Sequence, residues 1–198
     1  METQHEAAVW QQIKQGDPRA IDYLYDAYVQ SLYNYGRKIT KQEALVKDSI
    51  QNLFVDLWRN RESLPSPAKP KLYLLKALRY KIIYQLKREK RTREIELHSQ
   101  DSWQEYAPSH EFTLIASQHT AEQQQQLRQE LLHLSHRQRE AITLKFYEGL
   151  TNEEIAVAMS IHTQSVYNLI HQSIEILKKS LSVEMTLFVV LPYLLFLL

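Results

Sequence analysis

Apolar residues return every three to four positions along most of this chain, the period of a helix with one buried face. Trp10 and Ile13 begin the pattern; Ile21, Leu24, Tyr25, Tyr28 and Leu32 continue it. Ile50, Leu53, Phe54 and Leu57 form a third stripe, and Leu75, Leu78, Ile82 and Leu86 a fourth. The stripes predict one module of three or four helices between Trp10 and Arg93. Gly16-Asp17-Pro18 predicts a helix start with Pro in the first turn. The run from Leu64 to Pro70 reads as a loop, because each of its three prolines lacks a donor and restrains its neighbour. From Glu94 to about His119 the period weakens among polar residues, as in a linker. A second set of stripes follows: Leu127, Leu131, Leu132 and Leu134; then Ile142, Leu144 and Phe146; then Ile155 to Leu177, broken near Ser160. The expected boundaries are residues 1–93 for a first domain, 94–120 for a flexible linker, 121–180 for a second domain and 181–198 for an apolar tail.

Composition decides the fold class. The 198 residues include three Gly and six Pro, and good helix formers dominate, so the expected fold is all-α: two small helical domains joined by a flexible linker. The absence of cysteine excludes a disulfide framework, a thiolate metal site and a Cys nucleophile, and fits a reducing compartment. The N-terminal residues contain no apolar run of signal-peptide type, so a cytoplasmic protein is expected. A net charge of +1 leaves any nucleic-acid binding to local segregation of charge.

That segregation is visible in three places. On a helix from Leu72 to Arg91, Leu75, Leu78, Ile82 and Leu86 share the core side, while Tyr73, Tyr80 and Tyr84 share the far side with Lys76, Lys87 and Arg88. Rings beside cations suit unstacked bases and phosphates; the plainer reading is a solvated basic helix whose tyrosines rim the core. On the helix from Lys47 to Arg61, Val55 and Trp58 lie about 80 to 140° from the apolar stripe, beside Asp48, Gln51 and Arg59. Such a Trp is either a docking anchor or packs against another helix of its own module.

The third place lies in the second domain. Thr151 and Glu154 predict a capping box, Ile155 and Ala156 open a short helix, and Ser160-Ile161 breaks it before another helix starts near Thr163. That is a helix-turn-helix pattern. Val166, Leu169, Ile170, Ser173 and Leu177 fall on its buried side; Gln164, Asn168, His171 and Gln172 face outward, with Thr163 and Tyr167 at the margin. Amides, hydroxyls and imidazole can read base edges; a plain helical hairpin is the commoner meaning of such a pattern in isolation. No Lys or Arg lies between Thr163 and Ile176, so phosphate anchoring falls to Lys145, Lys178 and Lys179 or to helix N-terminal amides.

Taken in order, residues 16–40, 45–64, 73–91 and 134–179 resemble the two-domain sigma factors of the extracytoplasmic-function group. The resemblance implies that Asp48, Gln51, Asn52, Val55 and Trp58 dock on the clamp helices of the polymerase largest subunit, with the flap as a second polymerase contact. It implies a minus-ten reader comprising Ser63, Ser66, Lys69, Lys71, Tyr80, Lys81, Tyr84, Lys87, Arg88 and Arg91. Thr163, Gln164, Tyr167, Asn168, His171 and Gln172 would read the minus-35 element. The implied partners are core RNA polymerase, promoter DNA and an anti-sigma factor able to hold the protein at the inner membrane. Ser160 departs from the resemblance, standing where such proteins often have Gly.

Other readings bound this one. There is no phosphate-cradling Gly loop, HExxH or nucleophile elbow, and His133 and His136 lack a third ligand, so no catalysis, metal, cofactor or small-molecule substrate is expected. A helix-turn-helix regulator would bind a palindrome without polymerase, and a pure adaptor would ignore DNA. Met185 to Leu198 carries no charge, but a span needs about 20 apolar residues. Packing on its own module is ranked ahead of docking a partner or touching a membrane surface.

Overall fold

The computed structural model describes residues 2–67, 69–97, 131 and 133–180, and the chain divides into two compact units, one mainly in each half. Among the described residues every regular element is helical. The expected linker beyond residue 97 and the apolar tail lie outside the described residues, as do Leu127 and Leu132.

The N-terminal unit holds α1 (Glu2–Lys14), α2 (Pro18–Ile39), α3 (Glu43–Arg59) and α4 (Pro70–Leu97). Gly16, with φ +87°, ends α1, and the Asp17 carboxylate then caps α2 by accepting from the Arg19 amide at 2.9 Å, with Pro18 opening the first turn. A single 3-10 turn (Arg61–Ser63) and the proline loop separate α3 from α4. The last helix runs to Leu97, past the boundary expected at residue 93; the basic and acidic residues there are good helix formers and need no apolar stripe to continue a helix already nucleated.

Trp10, Ile13, Leu24, Leu32, Tyr35, Val46, Leu75, Leu78 and Ile82 are almost wholly buried in this unit. Burying each such side chain contributes roughly 1.5–3 kcal/mol. Gly36 lets α2 approach its neighbours: a Cβ there would lie 2.6 Å from Val46 Cγ1 and 3.2 Å from Ile82 Cδ1. Four expected core positions turn out differently: Ile21 and Leu86 are only half-buried, and two tyrosines stand at the rim. Tyr25 is 42% exposed and lies edge-on against Phe54, and Tyr28 is half-buried with its hydroxyl donating to the Glu6 carboxylate, tying α1 to α2. Phenols keep a wet or hydrogen-bonded end, so periodicity places them at the rim of a core.

The C-terminal unit holds α5 (His136–Ile142), α6 (Asn152–Met159) and α7 (Thr163–Ser180), with α5 packed against α7. Ser135 and Gln138 close a capping box at the start of α5, and Thr143–Tyr147 continue it as a π turn, the Glu148 amide reaching back to the Thr143 carbonyl at 3.1 Å. That wider turn leaves Phe146 43% exposed rather than in the core. The Thr151–Glu154 box forms as expected: the Glu154 amide donates to Thr151 Oγ1 at 3.2 Å, and the Thr151 amide to Glu154 Oε2 at 2.9 Å. Ser160 turns the chain into α7 at φ +54°, the left-handed conformation glycine takes at less cost.

Candidate nucleic-acid and protein interfaces

The exposed side of α4 carries a pair of parallel rings. Tyr80 and Tyr84 are 71% and 56% exposed, with centroids 6.2 Å apart and an interplanar angle of 18°. Their spacing of four residues sets one ring a turn above the other. Lys76, Lys87 and Arg88 are exposed on the same helix, so aromatic faces and cations are presented together. Lys81 sits lower, its ammonium paired with Asp56 on α3. Tyr73 departs from the expected face: it packs edge-on against Trp10, centroids 5.2 Å apart, and burial pushes its phenol pKa up. Helical phase is shared along α4, but α1 covers only its first turns, which is why one tyrosine of the three is covered. The Arg91 side chain lies outside those described.

The loop before α4 is held by groups far away in sequence. Ser63 spends its hydroxyl on the Asn60 carbonyl at 3.0 Å, closing the 3-10 turn. The Pro65 carbonyl accepts the Trp10 indole N–H at 2.7 Å, and Ser66 Oγ accepts from Gln11 Nε2 at 3.1 Å and from Lys14 Nζ at 3.4 Å. The Lys69 carbonyl accepts the Tyr73 amide at 3.2 Å, while Lys71 is half-buried in the first turn of α4. Sequence reasoning missed Gln11 and Lys14, because no local pattern reports a contact across more than fifty positions.

A second surface lies on α3. Asp48, Gln51, Asn52 and Val55 are exposed in one row, opposite the buried Ile50, Leu53, Phe54 and Leu57. Trp58 ends that row half-buried; the Arg61 guanidinium carbon stands 4.9 Å from its ring centroid, and Arg61 Nη1 donates to the Trp58 carbonyl at 3.1 Å. Trp58 is thus neither fully covered nor fully exposed, and a cation stands against its ring. At the head of α3 the Lys47 ammonium, 2.6 Å away, holds the Glu43 carboxyl below its ordinary pKa, and Glu43 raises that of Lys47.

The third surface is the outer side of α7. Gln164, Tyr167, Asn168, His171 and Gln172 are exposed and Thr163 is half-exposed. Gln164 Nε2 donates to Asn168 Oδ1 at 3.2 Å, so the two amides are already oriented one turn apart. Val166, Ile170, Ser173 and Leu177 are buried as expected, but Leu169 is half-exposed and Ile174 takes its place. Ser173 is tolerated in the core because its hydroxyl donates to the Leu169 carbonyl at 2.6 Å. Lys178 is engaged by Glu175 at 3.3 Å, leaving this surface short of cations. His133 and His136 are both exposed, and among the described residues no group of His, Asp and Glu could hold a metal ion. Among those residues, too, no helix is long and apolar enough to cross a membrane.

Comparison with known proteins matches this geometry to two models of one family. Residues 24–92, from within α2 through most of α4, match sigma-70 region 2, and residues 124–177 match sigma-70 region 4. No curated protein matches the sequence. Among solved structures the chain is similar to CnrH in complex with the cytosolic domain of CnrY, at 19% identity over 88% of this chain and 95% of that one, with a TM-score of 0.58. It is also similar to the sigma factor RpoE in complex with the anti-sigma factor NepR from Bartonella quintana, at 18% identity over 82% of this chain and 96% of that one, with a TM-score of 0.59. At such identities the likeness concerns the fold.

Proposed function

We propose that this chain, a member of the sigma-70 family with regions 2 and 4 and so a factor that directs transcription initiation, is of the two-region extracytoplasmic-function form and works through three separate surfaces. The outer row of α3, with Asp48, Gln51, Asn52, Val55 and Trp58, docks on core RNA polymerase. The α4 face, with the proline loop before it, captures the minus-ten element. The α7 face, with Thr163, Gln164, Tyr167, Asn168, His171 and Gln172, reads the minus-35 element in the major groove.

The observation that carries this reading is the exposed, stacked Tyr80–Tyr84 pair among cations. A contiguous exposed aromatic patch often marks an interaction site, and a base stacked on an aromatic ring gains roughly 1–3 kcal/mol. Captured single-stranded bases lower the free energy of melted DNA relative to duplex, so opening is favoured by binding alone and needs no ATP. Lys76, Lys87 and Arg88 add the sequence-independent attraction to phosphate. The protein supplies recognition and leaves the chemistry to the polymerase.

On α7, oriented amides can pair with adenine edges, but few cations stand beside them. Tethering both readers on one polymerase makes two weak contacts effectively intramolecular, which yields tight binding only at a permitted spacing. An anti-sigma partner is part of this reading, supported by the partners bound in both similar structures.

The test is in vitro transcription from a promoter library with core polymerase, with and without the protein. New specific transcripts that vanish when Tyr80, Tyr84 and Lys87 are replaced by Ala are expected. DNA binding by the protein alone, without transcripts, would replace this reading by that of a polymerase-independent regulator.

A further inference from the structure

Helix α1 lies outside the residues that match region 2, yet it makes the most specific contacts to the loop in front of α4. Pro65 and Pro67 have no amide to donate, so the loop has few backbone bonds with which to hold its shape. Trp10, 1% exposed and wedged against Tyr73, fixes it through the 2.7 Å bond to the Pro65 carbonyl. Gln11, next in sequence, and Lys14, one turn further, converge on the side-chain oxygen of Ser66. Two donors on one hydroxyl leave spare N–H groups on both: one on the amide and two on the ammonium. The cluster is therefore rich in unspent donors, one of them charged, which suits an anion rather than another donor.

Its position gives the anion an identity. Tyr73, touching Trp10, and Tyr80 lie on the same line of α4, about 10 Å apart at the helical rise. A strand whose bases stack on Tyr80 and Tyr84 and which continues toward the start of α4 reaches the Gln11–Lys14–Ser66 cluster. We infer that this cluster is a phosphate-binding site for the single strand captured at the minus-ten element, and that Trp10 positions the loop which completes it. The inference rests on the sigma-factor reading of α4 given above.

The full-length protein, core polymerase and a promoter selected by the wild-type chain from a random library provide the test. Open-complex formation is followed by fluorescence across a salt series, on a fully paired promoter and on one whose minus-ten segment is left unpaired. Lys14→Ala is expected to flatten the slope of log K against log salt by about 0.7, the value for one single-strand phosphate. Gln11→Ala is expected to lower opening roughly five-fold with the slope unchanged. Lys41→Ala, an exposed cation elsewhere, should leave both at the wild-type value. Trp10→Phe keeps the ring but removes the N–H, and should slow opening of paired DNA more than binding of the unpaired form. Wild-type slopes and rates in both Lys14→Ala and Gln11→Ala would overturn the site. No wild-type transcript at all would instead sink the sigma-factor reading and the inference with it.

Discussion

The two surfaces proposed to face DNA differ in kind. On α4, two stacked phenols stand among exposed Lys76, Lys87 and Arg88, whereas on α7 two linked amides stand with a phenol, an imidazole and no Lys or Arg from Thr163 to Ile176. Stacking and charge bind a melted strand strongly with little regard to sequence. Amides and hydroxyls discriminate between bases but hold weakly. On the proposed reading one unit would hold and the other would choose, and a shared polymerase would let the chooser borrow the holder's affinity.

The sharpest way to break that contrast is at the rings. Replacing Tyr80 and Tyr84 together by Ala should remove roughly 2–6 kcal/mol of strand capture, two stacked bases' worth, and so lower promoter opening at least about 30-fold. The melting temperature should hold, since both rings are exposed; a substantial fall would mean that they serve the fold instead.

A backbone test separates the units by stability. At Gly36 an added methyl meets β-branched Val46 at 2.6 Å, and Val has few rotamers in which to retreat. Overpacking therefore outweighs the helix-propensity gain, and Gly36→Ala should destabilise the N-terminal unit by about 1–3 kcal/mol in urea titration. A neutral result would show that α2 and α3 can separate freely.

Selectivity should yield next. Gln164→Ala is expected to cost about 1–3 kcal/mol of discrimination at a single minus-35 position. The salt slope should not change, since no cation is lost; a change would show that α7 binds by charge after all. The smallest effect runs the other way: Ser160→Gly relieves a left-handed residue and should stabilise the C-terminal unit by about 0.5–1 kcal/mol in the same titration.

Much of this was legible in one dimension because it is governed by local rules. The cap at Asp17, the box at Thr151 and Glu154, the turn at Ser160 and the buried stripes of α3 and α7 each depend on residues within a turn or two of one another. So does the phase that aligns Tyr80 with Tyr84. Helical period and capping are properties of short segments, and tertiary packing had only to agree with them.

What the sequence could not decide is which of several in-phase residues is covered. Tyr73 shares the phase of Tyr80 but lies under Trp10, Lys81 shares the charge of Lys87 but is tied to Asp56, and Tyr25 has the spacing of a core residue but stands at the rim. Periodicity fixes direction around a helix axis, not what stands opposite at a given height. Only the packing of α1 against α4, and of α3 beside it, settles that, and the same packing brings Gln11 and Lys14 to Ser66 from more than fifty residues away.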